Sequence, residues 1–175
     1  MITMSATTPH EQPTLDELPP MPQARLGHVA LVSRDPVAQA AFYREFFGMQ
    51  LVGDSANGAT TFLASVPEEE SHDLAFVREQ ATAHLALKVA TLEELLAAYR
   101  GLQARDVKIV ATFNHGVALA IYFPDPEGNL IELYWPTGKS GFWLPVIRPI
   151  DLGQPVEVLR RIVDEFEPTR RAATN

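Results

Sequence analysis

The chain has 175 residues, no cysteine and a formal net charge of −8, from 14 basic and 22 acidic residues. The lack of cysteine excludes disulfide bonds, thiolate nucleophiles and cysteine-ligated zinc or iron–sulfur centres. Basic residues form no dense block, and no apolar run approaches the ~18 residues of a membrane span, so neither nucleic acid nor a membrane is expected as a partner. The N-terminus also lacks the basic-then-apolar pattern of a secretion signal. We therefore expect a soluble, cytoplasmic protein with one compact domain.

The two ends of the chain carry weak structural signals. Residues 1–24 are rich in proline and threonine and have no hydrophobic period, which predicts an N-terminal arm that is flexible or lies on the surface. Residues 137–175 predict a loop followed by a helix at about Pro155–Phe166. That helix is expected to pack on the domain, and Phe142 and Trp143 in the loop before it are candidates to cover a pocket.

The sequence of the first half of the domain predicts four strands and one helix. Leu26–Ser33 alternates as a strand, and Asp35-Pro36 then marks the start of a helix that ends at Gly48. Three further strands are predicted at the segments Met49–Asp54, Ala59–Val66 and His72–Val77. The charged run Glu68–Glu70 predicts a solvated turn without a function.

The second half predicts the same order of elements. His84–Val89 alternates as a strand, and Thr91 with Glu94 forms a capping box that opens a helix through Leu102. Strands then follow at the segments Val107–Ala111, Val117–Phe123 and Asn129–Trp135.

The two halves also share short segments at an offset of 56 residues. His28-Val29-Ala30-Leu31 corresponds to His84-Leu85-Ala86-Leu87, and Tyr43-Arg44 corresponds to Tyr99-Arg100. The chain is therefore interpreted as an internal duplication. We expect an α+β fold of two tandem βαβββ modules, residues 25–78 and 83–136, in one domain over residues 25–136.

One acidic residue lies in a strongly apolar strand. Glu132 stands between Ile131 and Leu133, after a turn at Asp125–Asn129 whose Asp, Pro, Gly and Asn residues favour a tight reversal. Alternation places the Glu132 side chain on the face opposite Ile131 and Leu133. An unpaired buried carboxylate costs several kcal/mol, so Glu132 is expected to have a cationic partner.

Two histidines at duplicated positions are candidates to bind a metal cation together with Glu132. His28 and His84 each point away from the apolar residues that pack under the helices, so both are expected to share the concave face with Glu132. Two histidines and one carboxylate on one face leave open coordination positions, an arrangement associated with non-haem Fe(II) oxygen chemistry. The position 56 residues before Glu132 is Phe76, and neither it nor its neighbours can bind a metal. The simpler alternative treats each histidine as a hydrogen-bonded core residue.

These features together resemble a known family. The duplicated βαβββ unit with its two histidines and one glutamate resembles the vicinal oxygen chelate superfamily over residues of about 25–136. Within it, the segments at His72–Phe76, at His115-Gly116 and at Ile121–Asn129 resemble the type I extradiol ring-cleaving dioxygenases of the catechol 2,3-dioxygenase kind. Isomerases and resistance proteins share the ligands and the turn, whereas the joint presence of His72, His115 and Tyr122 is more specific to the dioxygenases. Many members carry an extra N-terminal domain. Because the resemblance here covers one two-module domain, we expect a single-domain version.

The resemblance implies a cupped, partly open mixed β-sheet with the helices outside. It implies Fe(II), with Mn(II) as the other option, and a small aromatic diol and O₂ as substrates. His72 would stabilise the bound oxygen species and act as an acid or base, and His115 and Tyr122 would hydrogen-bond the substrate oxygens. The implied metal ligands are His28, His84 and Glu132.

Two other functions are open on the same scaffold. One is a glyoxalase-like or thiol-transferring enzyme that uses a divalent metal, which the missing fourth ligand and the surplus histidines argue against. The other is a resistance protein that binds a small molecule, which has no need of a complete ligand set. In each case exposed strand edges favour a homo-oligomer.

Overall fold

Two helices lie on the outer face of one curled, mixed β-sheet in the computed structural model, which describes residues 18–140 and 145–167. A third helix packs against the second. The strands are β1 (Arg25–Val32), β2 (Gln50–Asp54), β3 (Thr60–Ala64), β4 (Leu74–Val77), β5 (His84–Lys88), β6 (Ala111–Asn114), β7 (Ala118–Pro124), β8 (Leu130–Pro136) and β9 (Arg148–Pro149). The helices are α1 (Pro36–Phe47), α2 (Leu92–Ala104) and α3 (Val156–Asp164), and a short 3₁₀ helix covers Gln80–Thr82.

The order of the strands confirms the predicted fold class. The sheet runs β2-β3-β4-β1-β5-β8-β7-β6-β9, so each half contributes four strands in the same relative order. In the first half β1 pairs in parallel with β4, and in the second β5 pairs in parallel with β8. The antiparallel pair β1–β5 joins the halves at the middle of the sheet. This arrangement is two βαβββ units related by an approximate two-fold axis.

Local sequence signals account for the helix ends and one turn. The Asp35 side chain accepts a hydrogen bond from Ala38 N, and Gly48 ends α1 with a φ of 66°. At the start of α2, Thr91 and Glu94 form both hydrogen bonds of the predicted capping box. In the turn before β8, both carboxylate oxygens of Asp125 accept hydrogen bonds from the backbone and side chain of Asn129, and this lowers the pKa of Asp125.

The main core lies between the second half of the sheet and its helices. It comprises Val89, Leu92, Leu95, Leu96, Ala98, Leu102, Leu119, Ile121, Leu133, Leu152, Leu159 and Val163. Because α3 supplies Leu159 and Val163, the C-terminal segment is part of this core. A smaller cluster of Ala40, Leu63 and Phe76 lies under α1.

Three local predictions differ from the structure. β6 begins at Ala111, whereas the sequence predicted a strand at Val107–Ala111. Asp106 has a φ of 53°, and Val107 and Ile109 after it turn towards the core cluster before β6 pairs with β7. β4 begins at Leu74, so His72 lies in the bend before it. The short strand β9 was not predicted.

The charged turn at Glu68–Glu70 also differs from its prediction. Glu70 is half-buried and forms an ion pair with Lys88 of β5, and its other oxygen lies 3.5 Å from the Tyr134 hydroxyl. The prediction of a fully solvated turn is therefore wrong for Glu70.

The described part of the N-terminal arm lies along α2. Arg105 donates a hydrogen bond to the Pro19 carbonyl, and the Met21 side chain covers Gly101. The rest of the predicted arm, residues 1–17, lies outside the described residues, as do Phe142 and Trp143. No helix within 18–140 or 145–167 is long and apolar enough to cross a membrane.

Gly27 permits a close contact that shapes the concave face. The pairing of β1 with β5 shifts between Leu26 and His28, so this bulge brings His28 opposite Ala86. The ring of Tyr134, which is 4% exposed, packs directly on Gly27. A Cβ atom at Gly27 would lie 2.3 Å from the Tyr134 hydroxyl oxygen and 2.6 Å from its Cε1.

We predict that Gly27→Ala destabilises the domain by about 1–3 kcal/mol, because the buried Tyr134 ring has to shift. Urea unfolding of Gly27→Ala, Tyr134→Ala and the double variant measures the effect as a double-mutant cycle. The cost of Gly27→Ala should fall by at least about 0.5 kcal/mol when Tyr134 is already removed. Equal costs in both backgrounds would show that the two residues are not coupled.

Candidate metal centre and active site

Cross-strand register brings the predicted site residues onto one line across the concave face. Glu132 of β8 pairs with Ala86 of β5, and Ala86 pairs in turn with His28 of β1. On the other side, Glu132 pairs with Tyr122 of β7. His84 lies two residues before Ala86 on the same face of β5. The small Ala86 side chain, fully buried, leaves the space in which the larger side chains converge.

Three ligand-type atoms meet above Ala86. His28 Nε2 lies 3.1 Å from Glu132 Oε2, His84 Nε2 lies 3.0 Å from the same oxygen, and the two nitrogens are 3.1 Å apart. Atoms bound at ~2.1 Å to one ion at right angles to each other lie about 3 Å apart, so these spacings fit three adjacent positions around a metal. The donor set of two imidazoles and one carboxylate also fits a divalent transition metal. These residues, called the triad below, can therefore hold such an ion.

The triad is buried, and its charges depend on one another. Burial alone would raise the pKa of Glu132, but hydrogen bonds from His28 and His84 and the positive charge of nearby histidines hold that pKa well below its usual value. Burial would lower the pKa of His84, but the hydrogen bond and charge of Glu132 and a bond to the Thr82 carbonyl outweigh it and raise the pKa. Glu132 is therefore a carboxylate anion whose charge is compensated by the histidines around it.

A hydrogen bond behind the triad sets the orientation of His84. His84 Nδ1 donates to the Thr82 carbonyl oxygen at 2.8 Å. Because Nδ1 keeps its proton in this bond, Nε2 is the nitrogen that can bind a metal once it gives up the proton shared with Glu132. The short 3₁₀ helix that ends at Thr82 thus orients the His84 ring.

His72 lies against the triad on the side of the first module. Its ring centroid is 4.0 Å from that of His28 and 4.9 Å from that of Phe62. Burial, together with the charge of His28, holds the pKa of His72 well below the usual value. His72 is therefore neutral at pH 7 and can donate or accept a hydrogen bond. Its Nδ1 lies 3.2 Å from the Ser71 hydroxyl.

His115 and Tyr122 lie on the opposite side, in the second module. His115 Nδ1 donates to the Val146 carbonyl oxygen, which leaves Nε2 as the acceptor of a 3.1 Å hydrogen bond from the Tyr122 hydroxyl. His115 Nε2 is also 3.8 Å from Glu132 Oε1. Burial and the negative charge of Glu132 raise the pKa of Tyr122, so it stays a protonated hydrogen-bond donor.

A cavity of about 390 Å³ opens over the triad. Its walls are mainly apolar and come from both modules and from the segment between β8 and β9. The lining includes Phe62, Val77, Phe113, Val117, Leu130 and Val146. Among the described residues that line it there is no lysine or arginine, and its ionisable groups are the triad, His72, His115, Tyr122 and Tyr134.

The approximate two-fold axis explains why the triad has three members. Glu132 pairs with Ala86, and the equivalent partner of Ala30 in the first module is Ala75. Ala75 lines the cavity and has no ligand atom. The position symmetric to Glu132 is thus held by a residue that cannot bind a metal.

Comparison with known proteins decides the family. The sequence pattern of the glyoxalase/bleomycin resistance protein/dioxygenase superfamily matches residues 25–133. The chain belongs to this superfamily. This vicinal oxygen chelate chain is 31% identical to biphenyl-2,3-diol 1,2-dioxygenase 3 of Rhodococcus globerulus over 121 residues. The aligned region covers 62% of each chain.

Solved structures share the fold. The 2,3-dioxygenase LapB from Pseudomonas sp. KL28 matches with a TM-score of 0.56 and 24% identity, over 63% of this chain and 42% of its own. The Mn(II)-bound glyoxalase from Novosphingobium aromaticivorans matches with a TM-score of 0.53 and 20% identity, over 65% of this chain and 40% of its own. The vicinal oxygen chelate chain described here therefore spans less than half the length of these structures and less than two thirds of the Rhodococcus relative.

The site contains groups that the sequence analysis did not identify. The Tyr134 ring lies 5.4 Å from the His28 ring and lines the cavity. Pro145, Val146 and Ile147 also line it, and the Val146 carbonyl orients His115. The alternation of β8 already placed Tyr134 beside Glu132, but no sequence pattern indicates the path of residues 145–147.

We predict that the protein binds close to one divalent metal per chain and that His84→Ala abolishes this binding while the domain stays folded. The side chain contributes one of three ligand atoms, and the main core lies on the other face of the sheet. Metal analysis after dialysis, together with circular dichroism, measures both quantities.

His115→Ala is the matched control, since it removes a neighbouring histidine outside the triad and should leave the metal in place. Full metal occupancy in His84→Ala would contradict the assignment of the triad.

Proposed function

We propose that this protein is an extradiol dioxygenase that opens an aromatic diol next to its two hydroxyl groups and incorporates both atoms of O₂. The proposed metal is Fe(II), held by His28, His84 and Glu132. The observation that carries the proposal is the presence of Tyr122, His115 and His72 around this triad inside one apolar cavity. The dioxygenase names of the Rhodococcus relative and of LapB support the same activity.

The three triad residues fit the proposed metal by donor type and spacing. When bound there, non-haem iron supplies the redox chemistry through which an aromatic diol reacts with O₂. The chain holds the deprotonated Glu132 carboxylate and the Nε2 atoms of both histidines in place before any metal arrives. This preorganisation lowers the cost of assembling the site.

Tyr122 and His115 form a short hydrogen-bonded path for a substrate proton. The Tyr122 hydroxyl can donate to one oxygen of the diol and so favour its ionised form. With no diol bound, the one Tyr122 proton is donated to His115 Nε2. If the diol proton moves to His115 Nε2, the Tyr122 hydroxyl is released to donate to the diol oxygen instead. The bond from His115 Nδ1 to the Val146 carbonyl keeps Nε2 in the accepting state.

His72 is proposed as the acid or base on the side of the oxygen substrate. Its low pKa keeps it neutral, so it can hydrogen-bond without adding a positive charge next to the metal. It lies against His28, across the triad from Tyr122 and His115. The diol and the oxygen would therefore be served by different modules of the sheet.

The apolar cavity indicates the class of diol. A charged substituent would enter a space in which no described cation can pair with it, and burying an unpaired charge is costly. Phe62, Phe113 and Val117 instead offer contacts to an alkyl or aryl group. We propose a diol with a neutral apolar substituent.

A metal-dependent isomerase on the same fold is the rival function, since a Mn(II)-bound glyoxalase has a similar fold. The position symmetric to Glu132 is Ala75, which cannot serve as a fourth ligand. Tyr122 and His115 are hydrogen-bonded to each other and both line the cavity, where an ionising diol would need a proton acceptor. Both observations favour the dioxygenase.

The decisive experiment is anaerobic purification, loading with Fe(II), and exposure to air with a panel of catechols. A yellow ring-opened product is expected, and its absence for every catechol would refute the proposal. Tyr122→Phe should keep the metal and the fold but turn over roughly 10- to 150-fold more slowly, because loss of one donor to a charged oxygen costs about 1.5–3 kcal/mol.

Tyr99→Phe is the matched control for Tyr122→Phe, since it removes a hydroxyl from α2 outside the cavity. Its turnover should equal that of the wild type. If Tyr122→Phe is also as fast as wild type, Tyr122 has no part in turnover.

We predict that biphenyl-2,3-diol is used at least about tenfold better, by kcat/KM, than 3,4-dihydroxyphenylacetate. A tenfold difference in kcat/KM corresponds to about 1.4 kcal/mol, which is less than the full cost of burying an unpaired carboxylate. Val110→Lys places a cation on the cavity wall and should narrow the ratio, whereas the uncharged Val110→Gln should not. Equal use of both diols by the wild type would contradict an apolar substituent.

A further inference from the structure

Helix α1 carries an exposed aromatic surface on the outside of the domain. Phe42, Phe46 and Phe47 are 47%, 63% and 65% exposed. Their rings form one cluster, with the Phe42 centroid 4.7 Å from that of Phe46 and 6.0 Å from that of Phe47. If each ring side chain has about 200 Å² of surface, the three expose roughly 350 Å² of apolar area.

A groove on the sheet extends this surface. Leu31 and Val32 of β1 are 41% and 47% exposed and line a groove together with Phe42. These five side chains are called the α1 surface below. Its apolar area is within the range of the largest patches on single-domain proteins, about 300–600 Å², which are often binding sites.

The duplication within the chain provides an internal comparison. The positions in α2 that lie 56 residues after Phe42 and Phe46 are Ala98 and Leu102, which are 0% and 4% exposed. They are buried because α3 packs over α2 and contributes Leu159 to the same core cluster. No helix within the described residues covers α1 in this way. The equivalent face of α1 therefore carries large rings that have no covering layer.

We propose that a second copy of this chain covers the α1 surface, with α1 packed antiparallel against α1 of the partner in a two-fold dimer. A two-fold interface requires a self-complementary surface, and α1 has one. Gln39, Phe42 and Phe46 recur at intervals of three and four residues, so they share one face of α1, and all three are exposed. When two copies of this face meet antiparallel, the helix dipoles oppose each other.

The size of the α1 surface fits this occupant. A stable interface buries about 800 Å² per partner, and its fully buried core is about 65% apolar. The five apolar side chains supply most of such a core, and the charged residues of α1 supply a polar rim.

The N-terminal segment is a poorer occupant. Residues 1–17 contain only Met1, Ile2, Met4 and Leu15 as large apolar side chains. This segment also enters the described structure at α2, where Arg105 binds the Pro19 carbonyl. The α1 surface is outside the cavity and the triad, so this proposal is independent of the proposed activity.

Light scattering coupled to size-exclusion chromatography tests the dimer with the full chain. The wild type should have twice the chain mass of 19.3 kDa, and Phe46→Glu should have the mass of one chain. Val66→Glu, at a 44% exposed position in the β3–β4 turn, is the matched control and should stay dimeric. A monomeric wild type, or a Phe46→Glu variant that remains dimeric, would overturn the proposal.

Cross-linking tests the orientation of the helices, because the natural chain has no cysteine. Gln39 shares the exposed face of α1 with Phe42 and Phe46 and lies near the middle of the helix, so Gln39→Cys should form a disulfide-linked dimer on mild oxidation. Gln103→Cys, exposed on α2, should remain uncross-linked. The absence of a cross-link through Gln39→Cys in dimeric protein would overturn the antiparallel arrangement.

Discussion

The Glu132 carboxylate is the group on which the arrangement of the concave face depends. It is 3% exposed in the middle of an apolar sheet, where an unpaired charge would cost several kcal/mol. Two histidines at 3.0 and 3.1 Å supply the compensating donors. The fold can bury this anion only if β1, β5 and β8 keep their register, so the stability of the sheet and the geometry of the site are coupled.

Duplication built the sheet, and divergence between the copies built the site. The central pair β1–β5 brings the two equivalent histidines together, but Glu132 corresponds to Ala75 across the axis. One side of the triad thus stays open to the cavity. The outer layers diverged as well: α2 is covered by α3, whereas α1 exposes Phe42 and Phe46. The two copies of the βαβββ unit therefore differ from each other on both the concave face and the outer face of the sheet.

Much of this could be predicted from the sequence because the signals are local. The cap at Asp35 and the capping box at Thr91 depend on side chains within four residues of the helix start. The alternation of side chains along a strand assigned Glu132 to one face, and the repeat assigned His28 and His84 to matching positions. These rules placed the three residues on one face of the sheet, whereas the convergence of their ligand-type atoms depends on the register of β1, β5 and β8.

Tertiary structure decided the features that join segments far apart in the chain. The Val146 carbonyl reaches His115 from 31 residues away, and Tyr134 packs on Gly27 from the other module. Glu70 pairs with Lys88 although its own segment has the composition of a solvated turn. The start of β6 at Ala111 likewise depends on its pairing with β7. A local pattern specifies which face a side chain takes, but its partner depends on how the whole sheet curls, which is set by packing summed over many distant contacts.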